Sequence, residues 1–241
     1  MKLDFDRVGF AVVSRFFWAD KIREIASEVD GYIDRVLPNV SPVEAFYEDK
    51  NDPATLKYIH ALDRHDDYFR DLLNDSPFIG VAEALLGARA VGQHLSLVRK
   101  PPRVGKETPP HQDAYYARIR PLEAVTLWLP LDAATEYNGC LRYQPGSQRG
   151  PLRSHGPSGV FGFVFAISDY SEADRAREVP VPVRPGDLLV HHCMTIHRAD
   201  ANDGSHDRRA LSLLYYSERA REEIADAHQR RIIAEHKAET P

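Results

Sequence analysis

Cysteine is scarce in this chain of 241 residues, which has two, Cys140 and Cys193. Two thiols cannot make the bridge network of a small secreted scaffold, so both are expected as buried thiols in a reducing compartment. Long apolar runs are missing as well, and nothing approaches the roughly 20 residues a membrane-spanning helix needs. There is no basic excess. The formal net charge is −5, which gives no general attraction to nucleic acid or to an acidic membrane. The opening segment MKLDFDRVGF carries acids where a secretory signal would have a basic end followed by an apolar run. Low-complexity linkers and internal repeats are absent too. Together these point to a soluble, cytoplasmic protein with no general affinity for nucleic acid or membrane. They leave its oligomeric state open.

What is present is an ordinary globular composition, 43% hydrophobic and 28% charged, enough for a sizeable core. VGFAVV (Val8 to Val13) reads as a short strand. Ala19 to Leu37 has apolar residues at helical spacing, with Asp20 in its first turn and Pro38 beyond its end. Asn39 to Thr55 reads as loop, and Leu56 to Leu86 as mostly helical, broken near Pro77. From Ala88 onward the texture changes to short runs rich in Val, Leu and aromatics, punctuated by PPRVG, NG, PGS, GPSG and RPGD. That is the pattern of a β-sandwich or barrel. Glu218 to His236 reads as a charged terminal helix. The expectation is one mainly β domain over residues 1–241: an α-rich buttress (1–87), a β-barrel core (88–217) and a C-terminal helix (218–241).

The chemistry concentrates in two stretches. In PPHQDAYYARIR (Pro109 to Arg120), His111 and Asp113 are two apart, so on a strand both point the same way. In RPGDLLVHHCMTIHRADANDGSHDRRALSLLYY (Arg184 to Tyr216), a strand rich in histidine ends at His197. His191 and His192 are adjacent and face opposite sides, and packing or solvent is the simpler reading for both. His206 falls in a polar loop. A strand ending in His197, opposite the turn with His111 and Asp113, would supply a third ligand. Two histidines and one carboxylate on one face of an ion leave positions open, as in non-haem Fe(II) oxygenases, and zinc would accept the same donors. Arg208, expected on a strand adjacent to the ligand strand, could point a guanidinium toward the open side, where its fork matches a carboxylate.

At this point the chain resembles the phytanoyl-CoA dioxygenase family of Fe(II)/2-oxoglutarate oxygenases, from about Gly9 to Tyr216. The matching pieces are RKPP (Arg99 to Pro102), PPHQDAYY, LWLPLDAATEYNGCLRYQPGSQRG (Leu127 to Gly150), RPGDLLVHHCMTIH and RRALSLLYY. The resemblance implies a double-stranded β-helix, a jelly-roll barrel of cupin-like form. It implies Fe(II) held by His111, Asp113 and His197, with 2-oxoglutarate and O2 as co-substrates. The far carboxylate of 2-oxoglutarate would pair with Arg208, assisted by Ser212 and flanked by Trp128. His94, where the family commonly has glutamine, is placed with these co-substrate contacts. Ala199 and Gln148 stand where serine and histidine are usual. Asp113 itself favours hydroxylation, because halogenating relatives replace this carboxylate with a small residue. Tyr115, Tyr116 and Arg118 are the candidate substrate contacts, with Arg120 as a second cation, and Leu152 to Arg177 is a candidate lid. The alternatives are a non-catalytic or sensing barrel of the same fold, or a cupin-like metal hydrolase or isomerase.

Overall fold

The structure, a computed structural model, describes residues 1–225 and 227–238. In chain order the elements are α1 Lys2–Val8, β1 Phe10–Val13, α2 Ala19–Arg35, β2 Ala45–Tyr47, β3 Leu56–Ile59, α3 Asp67–Asn74, α4 Pro77–Leu86 and β4 Ala90–Lys100. There follow β5 Thr108–His111, α5 Asp113–Ala117, β6 Ile119–Arg120, β7 Ala124–Pro130, β8 Leu141–Tyr143, β9 His155–Val160, β10 Phe163–Ile167 and α6 Glu172–Arg175. The chain continues with β11 Val179–Val181, β12 Leu188–His192, β13 His197–Ala199, β14 Arg208–Ser217, β15 Arg221–Glu222 and α7 Ala227–Ala238.

A seven-stranded antiparallel sheet runs β1-β12-β7-β14-β4-β3-β2, and a four-stranded one runs β11-β8-β13-β5. The mainly β, jelly-roll architecture is the expected one. Alternation along the large sheet separates two environments. Leu95 and Leu97 of β4, Val125 and Leu127 of β7, and Leu211, Leu213 and Tyr215 of β14 join the core under the helices. They pack there with Ile25, Val29 and Tyr32 of α2, Phe69 of α3 and Phe78 of α4. The intervening residues, among them His94, Thr126, Trp128, Arg208, Ser212 and Leu214, face the other way and line a cavity. Cys140 and Cys193 are buried, as expected.

Three expectations are corrected. Leu56–Ile59 is strand β3, not helix; it pairs with β4 on one side and β2 on the other. LKYI is too short for a helical period to be read, and the open edge of β4 satisfies its backbone. Ala45–Tyr47, read as loop, is β2. The N-terminal third thus supplies β1, β2 and β3 to the large sheet, and hydrogen bonding crosses the boundary drawn between buttress and barrel at residue 88. Finally, the terminal helix begins at Ala227 rather than Glu218. Arg221–Glu222 instead pair with Ile119–Arg120, and the Glu223 N–H donates to the Arg118 carbonyl at 2.6 Å. Residues 226 and 239–241 of the expected C-terminal helix lie outside the described residues.

One glycine is demanded by geometry. Gly139 of the NGCL block has φ +81°, and a Cβ there would lie 2.3 Å from the Asp200 carbonyl oxygen. Leu213 tests the core. It is fully buried, in register between Leu95 and Leu127. Leu213→Ala should cost about 3 kcal/mol in urea denaturation, the usual cost of such a cavity.

Candidate metal centre

His111 is the last residue of β5 and Asp113 the first of α5, with Gln112 extended between them (φ −121°, ψ 126°). The two side chains therefore converge across a strand-to-helix turn instead of merely sharing a strand face. His197 opens β13 directly opposite His111 in the β-ladder. His111 Nε2 lies 3.5 Å and His197 Nε2 3.6 Å from the same oxygen, Asp113 Oδ1. The three prospective donor atoms all lie within 4.8 Å of one another.

Both histidines are set for ligation by their other nitrogen. Nδ1–H of His111 donates to the Pro109 carbonyl at 2.8 Å, and Nδ1–H of His197 to the Thr195 carbonyl at 3.0 Å. A carbonyl accepts only from N–H, so each Nε2 carries a lone pair directed at the common point. Burial pushes the His197 imidazole well below its ordinary pKa, which keeps it neutral. Burial alone would raise the Asp113 carboxyl. The imidazoles of His197, His111 and His191 around it outweigh that and hold it well below the usual carboxylate range.

The other carboxylate oxygen is held from the large sheet. Oδ2 of Asp113 accepts from the Thr126 hydroxyl at 2.6 Å and from His191 Nε2–H at 3.0 Å. The Tyr143 hydroxyl in turn donates to His191 Nδ1 at 2.9 Å. His191 and Thr126 are register partners on β12 and β7. This corrects the reading of His191 as packing or solvent. It is a buried member of the site, and with Thr126 and Tyr143 it was missed. The signal was present in the alternation of LLVHH, where Leu188 and Val190 take the helix side and leave His191 for the cavity.

Above the three residues lies a cavity of about 460 Å³. Arg208 is one of its walls, with 1% of its surface exposed, and its guanidinium lies 5.2 Å from the Trp128 ring centre. Its Nε and Nη1 are buried with no hydrogen-bond partner among the described residues. Burial lowers its pKa to about 10, so it stays cationic at neutral pH. The expectation that its strand neighbours the ligand strand is corrected. β14 lies in the opposite sheet, between β7 and β4, so the guanidinium reaches across the cavity. Ser212 and Trp128 are register partners and line the same wall. Arg209 points away into an ion pair with Asp132 at 2.9 Å.

The remaining candidates divide. Tyr116 lines the cavity, its ring edge-on to His111 at 5.7 Å. Its hydroxyl donates to the Phe165 carbonyl at 2.7 Å and accepts from the Phe165 N–H at 2.9 Å. That pins the β9–β10 hairpin of the expected lid, whose Phe163 and Val164 also line the cavity. Tyr115 stacks on His155 at 4.2 Å, and neither it nor Arg118 lines the cavity. The αL turn at Arg118 (φ 49°) reverses the chain there, and Arg120 is exposed beside Glu223. His94 is placed away from the guanidinium. Six residues along β4 from Lys100, the register partner of Arg208, it packs against His60 at 4.8 Å. Tyr58, His60 and Phe46 also line the cavity. They were missed because their segments were read as loop and helix.

Two outcomes follow from this geometry. Groups that orient a metal ligand typically contribute about 10- to 100-fold in affinity. His191→Ala should weaken Fe(II) binding by about that factor in a chelator competition, with far-UV circular dichroism unchanged. The second concerns pH. The Gln112 N–H donates to His155 Nε2 at 3.1 Å, while His155 Nδ1–H donates to the Arg153 carbonyl at 2.9 Å, so the ring must be neutral. Burial pushes its pKa from 6.5 down to about 4. On acidification the unfolded chain takes up this proton first. The stability is present in full above pH 6.5 and is lost progressively toward about pH 4. Urea midpoints should decline across that window, with a shallower slope in His155→Phe.

Comparison with known proteins gives a consistent picture. A family model for phytanoyl-CoA dioxygenase matches residues 5–210. Phytanoyl-CoA dioxygenase domain-containing protein 1 of Mus musculus is 28% identical over 253 residues, spanning 87% of this chain and 86% of its own. Among solved structures, EvdO2 from Micromonospora carbonacea var. aurantiaca, complexed with 2-oxoglutarate, superposes with a TM-score of 0.71 at 25% identity, covering 93% of this chain and 92% of its own. The epimerase SnoN, in complex with Fe3+, alpha ketoglutarate and nogalamycin RO, shares the fold with a TM-score of 0.75 at 22% identity, covering 92% and 84%.

Proposed function

Because the chain belongs to the phytanoyl-CoA dioxygenase family of Fe(II)/2-oxoglutarate-dependent oxygenases, we propose that it hydroxylates an unactivated C–H bond of a small-molecule metabolite. In this reading His111, Asp113 and His197 hold the iron, and Arg208 binds the far carboxylate of 2-oxoglutarate. Once bound, iron and keto acid together supply the activation of O2, with succinate and CO2 as products. The protein residues supply placement and electrostatics.

One observation carries the reading: the buried, unpartnered guanidinium of Arg208 across the cavity from three converging donors. A charged donor left unpaired in a protein interior costs several kcal/mol, and a carboxylate removes that cost through two charge-assisted bonds. The donor set fits Fe(II) for the same kind of reason. Two neutral imidazoles and one carboxylate oxygen present lone pairs to one side, while Oδ2 is tied back by Thr126 and His191. Trp128 forms a flat shelf under the guanidinium, and the Ser212 hydroxyl stands on the same wall. Tyr116 holds the β9–β10 hairpin, whose Phe163 and Val164 form part of the cavity wall and would limit water near the reacting centre. Hydroxylation rather than halogenation is supported by Asp113, which occupies the position an anion would need. The outcome must still be distinguished from epimerisation, the activity named for SnoN.

Anaerobic addition of Fe(II) and 2-oxoglutarate should produce a weak visible charge-transfer band, and in air the protein should release succinate at a slow uncoupled rate. His111→Ala should reduce both to background. Losing a charge-assisted pair costs roughly 2–3 kcal/mol, so Arg208→Ala should raise the 2-oxoglutarate KM by about 30- to 150-fold. An unchanged KM would remove Arg208 from the co-substrate site. Mass spectrometry of the organic product decides between hydroxylation, a gain of one oxygen, and epimerisation, no change in mass.

A further inference from the structure

Among the described lining residues Asp113 and Arg208 carry formal charge, and both are committed in the reading above. Much of the remaining wall is aromatic or aliphatic, with Phe46, Val98, Phe163 and Leu214 among its apolar members, and Thr108, Thr126 and Ser212 are uncharged polar ones. Set into it are two imidazoles, His60 and His94, with ring centres 4.8 Å apart.

These imidazoles are not bonded into the site as Thr126, His191 and Tyr116 are. Thr126 and His191 bond to Asp113, and Tyr116 bonds to Phe165. His94 has no hydrogen-bond partner for either ring nitrogen among the described residues. His60 is anchored on one side alone. Its Nδ1 lies 3.3 Å from the Tyr58 hydroxyl, which donates to Ser96 Oγ at 3.1 Å, and no described group bonds its Nε2. Burial lowers the pKa of both rings, that of His94 to about 4, so both are uncharged; His94 offers one donor and one acceptor, while His60, whose Nδ1–H is given to the Tyr58 hydroxyl, offers the Nε2 lone pair.

Their position relative to the metal centre is set by the ladder. His191 pairs with Thr126, Thr126 with Leu214, and Leu214 with His94. His94 therefore stands in the same cross-strand row as the two residues that hold Asp113, two strands from Thr126. At the usual strand spacing that is about 10 Å to the side. A group held there lies beside the metal centre, at the distance from which a substrate can be oriented toward it without blocking it.

We propose that His94 and His60 form the substrate-recognition site of the cavity, and that they select an uncharged, largely apolar small molecule through one hydroxyl or carbonyl group. This rests on the Fe(II)/2-oxoglutarate reading. Such a pair matches a hydroxyl, which accepts from the His94 N–H and donates to an imidazole lone pair, or a carbonyl, which accepts from the His94 N–H. A carboxylate or phosphate would enter the apolar wall without a buried cation to meet it. Arg64 is exposed and outside the lining.

The test uses the Fe(II)- and 2-oxoglutarate-loaded protein and matched probes: cyclohexanol, menthol and camphor against cyclohexanecarboxylate and cyclohexanecarbonyl-CoA. Two signals are read, the shift of the anaerobic visible band on adding each probe and the acceleration of 2-oxoglutarate consumption in air. The neutral alcohols and ketone should shift the band, and the anionic compounds should not. A lost neutral hydrogen bond of about 1 kcal/mol or more corresponds to a five- to tenfold change. His94→Leu should therefore raise the half-saturating concentration of a responsive probe by about that factor or more while the 2-oxoglutarate KM stays within threefold. His94→Gln, which keeps a donor and an acceptor, should recover most of the loss. Response confined to the anionic probes, and abolished in Arg64→Ala, would overturn the proposal, as would no response to any neutral probe or an unchanged value in His94→Leu. If the wild-type protein gives no visible band with Fe(II) and 2-oxoglutarate, the underlying oxygenase reading fails instead.

Discussion

The carboxylate of Asp113 is the point at which the two sheets are joined chemically. Its Oδ1 faces His111 and His197, neighbours on the small sheet, while its Oδ2 is held by Thr126 and His191 of the large one. Each oxygen thus has a separate task. A carboxylate with both oxygens free would rotate, and one bonded twice on the same side would lose the lone pair that an ion needs. The division is possible because β5 ends and α5 begins within one residue. That turn brings Asp113 off the strand and over the gap between the sheets.

The large sheet makes the rest of the arrangement affordable in free energy. Its outer face is packed continuously against α2, α3 and α4, and this hydrophobic burial stabilises a scaffold whose inner face is poorly satisfied. Arg208 keeps Nε and Nη1 buried there without partners among the described residues. Such groups oppose folding, and they persist where the surrounding core over-determines the backbone. The cavity wall therefore combines polar and apolar groups for a structural reason. Alternation places every second residue of β4, β7, β12 and β14 inside, and the identity of those residues then sets the chemistry along the wall.

Several parts of this picture were legible in the chain itself. His111, Asp113 and His197 could be picked out by residue type and by the resemblance carried in PPHQDAYY and RPGDLLVHHCMTIH, and their convergence is what the fold delivers. Alternation let only one of Arg208 and Arg209 face in, the resemblance chose Arg208, and the structure turns Arg209 out to Asp132. Less could be read where segments were short. LKYI has no period long enough to distinguish strand from helix, and Arg221–Glu222 gain their strand character from the exposed backbone of Ile119–Arg120. With β2 and β3 unread, Phe46, Tyr58 and His60 had no reason to be near the site.

Local sequence, then, determined the alternation of the long strands, the strand-to-helix turn at Gln112 and the types of donor available, because these depend on residues close in the chain. Tertiary structure alone decided which donors meet. His191 reached Asp113 through the pairing of β12 with β7, and His94 came level with the metal centre through three successive ladder registers. A register shift of one residue would turn either side chain to the opposite face. Such long-range pairings are set by the packing of the whole sheet, which no short stretch of the chain encodes.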